Sequence, residues 1–388
     1  MVQFTHDLEE NGFVRYLTEH IQTVLGRKMV FIGGPRQVGK TTLALALLGR
    51  DAEPDHPAYL NWDAPGMSLN LRKGVLPPEQ RLIVLDEIHK YKNWRNLVKG
   101  LYDTQKTKRQ FIVTGSARLD YYRNGGDSLV NRYRYFRLHP FSLLEYDAEG
   151  KHNSLADLLR FGGFPEPLFT KNDRELRFWQ RDRLSRVIRE DLRDLERVKE
   201  ISLIEVLVDL LPSKVGSPLS IQSLREDLEV DHKTVSRWIT ILENLYVCFR
   251  IAPFGSSKIR AVKKEQKLYL WDWSTIENEG ARFENLVASQ LLKYCHFQED
   301  TEGHKMELRY LRDTDKREVD FVVIKNKKPL FAVEVKSSDT NLNSSLHYFA
   351  QRTTIPKFFQ VHLGTIDYEK NGVRVLPFST FCQLWQMP

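Results

Sequence analysis

The residues that could do phosphate chemistry come first in two short runs. Gly34, Pro35, Arg36, Gln37, Val38, Gly39, Lys40, Thr41 and Thr42 contain the pattern G-x-x-x-x-G-K-[ST]. Glycines in such a run let backbone wrap a phosphate chain without Cβ clashes. The loop amides and the N-terminus of the following helix then face the anion. Lys40 is placed to reach the β and γ phosphates of ATP, and Thr41 to hold Mg²⁺. The second run, Arg81-Leu-Ile-Val-Leu-Asp-Glu-Ile88, is apolar until Asp86 and Glu87. A buried parallel strand offers its polar residues at its C-terminal end. Asp86 is expected to bind Mg²⁺, directly or through water, and Glu87 to polarise the attacking water as general base. A third apolar run, Arg109 to Ser116, ends in hydroxyls. Thr114 and Ser116 are candidates for sensing the γ-phosphate or orienting water.

A different chemistry is written in the last third of the chain. Asp320 lies in Glu318-Val-Asp-Phe-Val-Val-Ile324, and Glu334 and Lys336 lie in Leu330-Phe-Ala-Val-Glu-Val-Lys336. Strand periodicity puts Glu334 and Lys336 on one face and Val333 and Val335 on the other. Glu284 belongs to the helical run Gly280 to Lys293. A carboxylate from each strand, joined by one from a helix, can hold one or two Mg²⁺ ions (or Mn²⁺) against a phosphodiester. The neighbouring lysine can position water or neutralise developing charge. With thirteen residues between Asp320 and Glu334, the set resembles the D-x(n)-E-x-K constellation of the PD-(D/E)xK nucleases. Glu284 matches the helix glutamate that those enzymes often place upstream. The expected catalytic residues are Glu87, Glu284, Asp320, Glu334 and Lys336. The expected metal ligands are Thr41, Asp86, Glu284, Asp320 and Glu334. His347 and Gln351, on the next helix, are candidates for a backbone or substrate contact.

The elements that must position these groups follow from periodicity. Arg27 to Gly33 reads as a buried strand feeding the glycine loop, and Thr41 to Leu48 as the helix leaving it. Ala58 to Asp63 and Asn131 to Leu138 read as further strands, and residues 90 to 105 as an amphipathic helix. Arg181 to Arg197 alternates in charge sign, the pattern of a salt-bridged, solvated helix. Pro212 and Ser213 to Pro218 mark a hinge. Beyond it, Ser220 to Leu228 and Lys233 to Leu245 read as the two helices of a winged-helix module, and Tyr246 to Ala252 as its wing. Lys233, Thr234, Ser236 and Arg237 open the second helix, where such modules contact DNA; packing as a scaffold is the alternative. Lys258, Arg260, Lys263, Lys264 and Lys267 form a basic stretch suited to a polyanion.

Whole-chain properties set bounds. The chain has 388 residues, enough for two or three domains. It is 41% hydrophobic and 28% charged, with a formal net charge of +7, which favours a nucleic-acid partner only weakly. No apolar run approaches the roughly 20 residues that cross a bilayer, so no membrane association is expected. Cys248, Cys295 and Cys382 are too scattered for a CxxC knuckle or a disulfide framework. The first ten residues lack the layout of a signal peptide. A cytoplasmic location is expected.

Taken in order, Gly34 to Thr42, Leu85-Asp-Glu-Ile88, Thr114-Gly-Ser-Ala117, Leu138-His-Pro-Phe-Ser-Leu-Leu-Glu145 and Phe161-Gly-Gly-Phe-Pro-Glu166 resemble the prokaryotic AAA-type ATPases that carry a C-terminal domain of unknown function, DUF4143. The resemblance implies an α/β protein in three parts. These are an AAA+ P-loop domain with a parallel sheet at 1–148, a helical lid and winged-helix region at 149–265, and a restriction-endonuclease-like α/β domain at 266–388. It also implies an arginine just before the Pro-Phe-Ser segment. Arg132 stands there, behind Asn131 in place of the usual glycine, as a candidate γ-phosphate contact in cis or from a neighbouring subunit of a homo-oligomer. The expected function is ATP hydrolysis coupled to a Mg²⁺-dependent nuclease acting on DNA, in DNA processing or genome defence. The alternative is an ATPase switch, or a DNA-binding regulator, whose nuclease-like domain binds without cutting.

Overall fold

The computed structural model describes residues 15–49, 51–115, 129, 131–148, 154–191, 200–255, 265–338 and 341–388. Ser116, Lys258, Arg260, Lys263 and Lys264 lie outside the described residues. The chain divides into two compact units, Met1–Pro140 and Phe141–Pro388.

The first unit is built on five parallel strands: β1 (Met29–Gly33), β2 (Tyr59–Asn61), β3 (Leu82–Asp86), β4 (Gln110–Thr114) and β5 (Tyr133–Arg137). Their order is β2-β3-β4-β1-β5, with every pairing parallel. Central parallel strands are covered on both faces, which is why Met29–Ile32 and Ile83–Leu85 are apolar without alternation. One face packs Phe31, Ile83, Leu85, Phe111 and Val113 against Trp94, Val98 and Leu101 of the Trp94–Gln105 helix. The sheet thus brings the C-terminal ends of β1, β3 and β4 side by side. Those ends carry the glycine loop, Asp86 and Thr114.

The second unit holds an eight-stranded mixed sheet. Its strands are β6 (Cys248–Phe254), β7 (Lys267–Leu270), β8 (Met306–Arg312), β9 (Glu318–Lys325), β10 (Lys328–Lys336), β11 (Phe358–His362), β12 (Tyr368–Lys370) and β13 (Val373–Pro377). Their order is β12-β13-β11-β10-β9-β8-β6-β7. The segment read as a wing is therefore an inner strand: β6 pairs antiparallel with β7 and parallel with β8. The two helices before it, Ile221–Leu228 and His232–Asn244, form as read. Asp231 caps the second by accepting from the amides of Lys233 and Thr234 at 2.8 and 3.0 Å.

A long helix, Glu279–Glu302, crosses this sheet, and buried polar contacts fix its place. The Asn285 side chain accepts from the Leu270 amide and donates to the Leu270 carbonyl, both at 2.7 Å, so it pairs with the edge strand β7 as another strand would. Lys293 of the same helix donates to Glu145 at 2.5 Å and to Ser142 at 2.9 Å. The Pro-Phe-Ser-Leu-Leu-Glu segment is thereby an anchor for the helix that carries Glu284. Among the described residues no helix is long and apolar enough to cross a membrane.

Candidate nucleotide site and candidate carboxylate site

At the C-terminal edge of the parallel sheet, the glycine loop turns from β1 into the Lys40–Leu48 helix. Gly34 has φ +137°, and a Cβ there would meet the Leu138 carbonyl oxygen at 2.3 Å. Glycine is therefore a steric requirement of this loop as well as a phosphate-binding convention. Lys40 is buried, and its ammonium donates to the Gly34 and Pro35 carbonyls at 3.0 and 2.7 Å. Asp86, from β3, gathers hydroxyls. Thr41 donates to Oδ2 at 3.1 Å, Tyr59 to the same oxygen at 2.5 Å, and Thr114 to Oδ1. Burial first, then the charge of Asp86, holds the Tyr59 phenol protonated well above its ordinary range. Glu87 follows at φ +55°, in the left-handed region that costs a non-glycine residue energy and often marks a working position. Its amide is held by Asp86 Oδ1 at 3.0 Å and by the Thr114 carbonyl at 3.2 Å. A hydroxyl and a carboxylate 3.1 Å apart beside an anion-binding loop are a donor set that fits Mg²⁺ carried in with a nucleotide.

In the second unit, β9 and β10 pair antiparallel with Val333 opposite Phe321. One step further along this register, Glu334 comes opposite Asp320 on the same face. Asp320 Oδ2 accepts from the Val335 amide at 2.9 Å. Lys336 pairs with Glu334 Oε1 at 2.8 Å, and the Asn343 side chain donates to the same oxygen at 2.5 Å. Glu334 is only 4% exposed, and its other oxygen, Oε2, is buried without a hydrogen-bond partner. Burial, and then the charge of Asp320, raises the Glu334 carboxyl to about 8 from an ordinary 4.5. Glu284 arrives from the long helix. It accepts from the Tyr269 hydroxyl at 2.8 Å, and burial followed by Asp320 raises it to about 7. The backbone gives it room at Gly216 (φ +74°), where a Cβ would stand 3.0 Å from Glu284 Oε2.

The centre of this cluster is held by Lys267, at the start of β7. Its ammonium lies 2.6 Å from Glu318, 3.4 Å from Asp320 and 3.5 Å from Glu284. Burial disfavours that charge, but Asp320, Glu284 and Glu318 outweigh it and keep Lys267 protonated, above its ordinary range.

Residues 26–147 match the AAA domain family, and residues 279–381 match a domain of unknown function, DUF4143. The chain is an AAA-domain protein with a C-terminal DUF4143 domain. Residues 152–277, between the two, match DUF8612, a further domain of unknown function. Among curated proteins, this AAA-domain chain is similar to two named as uncharacterised in Methanocaldococcus jannaschii. MJ1637 is 25% identical over 69% of this chain and 68% of its own length. MJ1544 is 21% identical over 90% of this chain and 84% of its own. Of solved structures, the Thermotoga maritima RuvB Holliday junction branch migration motor aligns with 64% of this chain and 93% of its own at 17% identity. Its TM-score of 0.30 is too low to bear on what this chain does.

Within the AAA domain, Lys40, Thr41, Asp86, Glu87 and Thr114 come together as their order along the sequence suggests. Arg132 does not join them in cis. β5 runs parallel to β1 with Tyr133 opposite Met29 and Arg137 opposite Gly33. Arg132 therefore sits at the N-terminal edge of the sheet, about 16 Å of strand away from the glycine loop. There its guanidinium pairs with Asp103 at 2.8 and 3.1 Å.

Two corrections fall in the second unit. Lys267 is not part of an exposed basic stretch: it is 1% exposed and faces carboxylates. Glu284, Asp320 and Glu334 also do not form a ready metal cage. Among the described residues, no three His, Cys, Asp or Glu side chains are arranged to hold a metal ion, and the Lys267 ammonium lies against two of these three. His347 and Gln351 pair with each other at 3.1 Å. Tyr59, Tyr269, Glu318 and Asn343 escaped the sequence reading, and Lys267 entered it only as part of a basic stretch. Only Glu318 left a signal there, since it shares the period-two face of Asp320.

Proposed function

We propose that this AAA-domain protein hydrolyses ATP and uses the cycle to control a DNA-directed, nuclease-like site in its C-terminal unit. The observation that carries the C-terminal part is the convergence of Asp320, Glu334 and Lys336 on one face of β9 and β10, with the buried Glu334 Oε2 lacking a partner. In the nucleotide site Thr41 and Asp86 would hold Mg²⁺, which when bound would neutralise phosphate charge. Lys40 exchanges its loop carbonyls for the β and γ phosphates. Glu87 takes the proton of the attacking water, and Thr114 keeps Asp86 oriented. In the C-terminal site Asp320 and Glu334 would hold a divalent ion, and Lys336 would balance charge developing on a phosphodiester. Exposed Lys233 and Arg237, at the start of the His232–Asn244 helix, supply contacts to the DNA backbone. A homo-oligomer, with Arg132 offered to a neighbouring subunit, and a cytoplasmic setting complete the reading.

One observation favours a second reading, in which the domain binds DNA without cutting it: Lys267 already neutralises part of the carboxylate cluster. Incubation with supercoiled plasmid and single-stranded DNA in Mg²⁺ or Mn²⁺, with and without ATP, separates the two. Cleavage that disappears in Glu334→Ala supports the nuclease. Uncut DNA, retained by wild type in a binding assay, supports the second reading.

A further inference from the structure

Lys267 is an unusual occupant for a carboxylate site. A buried ammonium normally loses its proton or pairs with one acid. This one has three acids from two elements around it, at 2.6, 3.4 and 3.5 Å. The Tyr310 ring lies 5.6 Å from the ammonium on a further side, a favourable partner for a cation. The side chain is 1% exposed, and its strand is held on both flanks. Lys267 pairs with Ile251 of β6, and it bridges Pro218 on its other side. Lys336 differs: its side chain is 36% exposed and pairs with Glu334.

We propose that Lys267 is a permanent cation of the C-terminal site. It stands where a divalent ion would otherwise bridge Glu284, Glu318 and Asp320, so the site takes at most one divalent ion, on the Glu334 side. Charge balance supports this division. Glu284, Glu318, Asp320 and Glu334 face Lys267, Lys336 and also Arg312, which lies 3.7 Å from Glu318. On the Lys267 side a divalent ion would have to sit against a fixed positive charge in a poorly screened interior. On the Glu334 side a buried carboxylate oxygen stands without a partner. The inference takes its site from the proposed function, but the count of ions does not depend on whether DNA is cut.

The test is a Mn²⁺ titration of the full chain without nucleotide, followed by the loss of the free-ion electron paramagnetic resonance signal. The wild type is expected to bind no more than one ion, and Glu334→Gln to lose it. Lys267→Met, which leaves three carboxylates facing each other, is expected to bind one ion more than wild type and to gain several degrees of melting temperature from Mn²⁺. Should that variant fail to fold, Lys267→Met combined with Glu318→Gln removes one like charge and is expected to show the same gain of one ion. Two ions on the wild type, both weakened by Glu284→Gln and Glu334→Gln, would overturn the proposal. So would a foldable Lys267 variant that binds no more than wild type. Plasmid left uncut while the ion counts come out as expected would sink the nuclease reading and leave the role of Lys267 standing.

Discussion

Each unit of this protein buries a lysine ammonium at its candidate site, and the two are held in opposite ways. Lys40 rests on neutral carbonyls of its own loop, at 3.0 and 2.7 Å. Lys267 rests on carboxylates, at 2.6, 3.4 and 3.5 Å. Both ammonium groups make charge-assisted hydrogen bonds, but only Lys267 faces full opposite charges, whose attraction in a poorly screened interior is the stronger. A polyphosphate arriving at the glycine loop can therefore draw Lys40 away, whereas nothing of ordinary charge can draw Lys267 out of its cluster. The first lysine is poised for exchange with a ligand, and the second is built into the framework. A lysine beside acids is thus not by itself a catalytic signal; what matters is whether its present partners can be outcompeted.

The contrast can be broken most sharply at Lys40. Lys40→Ala is expected to lower ATP turnover by ~10²-fold or more, as loss of a charge-stabilising donor does, measured as phosphate release. A rate within a few-fold of wild type would remove Lys40 from the chemistry. Lys267→Ala should show its effect in stability. Removing one partner of a buried ion cluster costs about 3–5 kcal/mol, read as a lowered denaturant midpoint. A loss under about 1 kcal/mol would mean that the carboxylates do not depend on the ammonium. Gly34→Ala sets a Cβ against the Leu138 carbonyl at 2.3 Å and forces φ +137° on a side-chain-bearing residue. It is expected to cost about 1–3 kcal/mol and to weaken nucleotide binding, measured by melting with and without ATP.

A further effect concerns pH. The Glu334 carboxyl titrates near 4.5 in the unfolded chain and is raised to about 8 in the fold. Between those values the unfolded state binds fewer protons than the folded one, so stability falls as pH rises. Without divalent ions, wild type should therefore lose stability between about pH 5 and pH 8. Glu334→Gln, which mimics the neutral form, should be more stable than wild type at pH 8 and gain little at pH 5. A variant less stable than wild type at pH 8 would show that the ionised carboxylate is well accommodated after all.

How much of this could be read in advance depended on distance along the chain. The glycine loop is a local covalent pattern, so Gly34 to Thr42 declared itself. Asp86 did so only in combination with that loop, since an apolar run ending in acid can also be an ordinary strand leading into a helix. Of the two places open to Arg132, in cis or from a neighbouring subunit, the sequence could not choose, because it is strand direction that decides which edge of the sheet it occupies. Register with β1 settled that, and register is not written in residues 131 to 138. Asp320, Glu334 and Lys336 were legible as a hairpin with a shared face. Lys267 was not, since it lies 53 residues before Asp320 and follows a run of basic residues that suggests a solvated surface. Its role appears only when β6 inserts next to β8 and brings β7 to the edge beyond it.

The most direct measurement is the rate of ATP hydrolysis by wild type, Lys40→Ala and Glu334→Ala, each with and without DNA. The account predicts hydrolysis that DNA alters in wild type. It predicts none above background in Lys40→Ala, and a basal rate in Glu334→Ala close to wild type. Hydrolysis that persists in Lys40→Ala, or a wild-type rate indifferent to DNA, would contradict it.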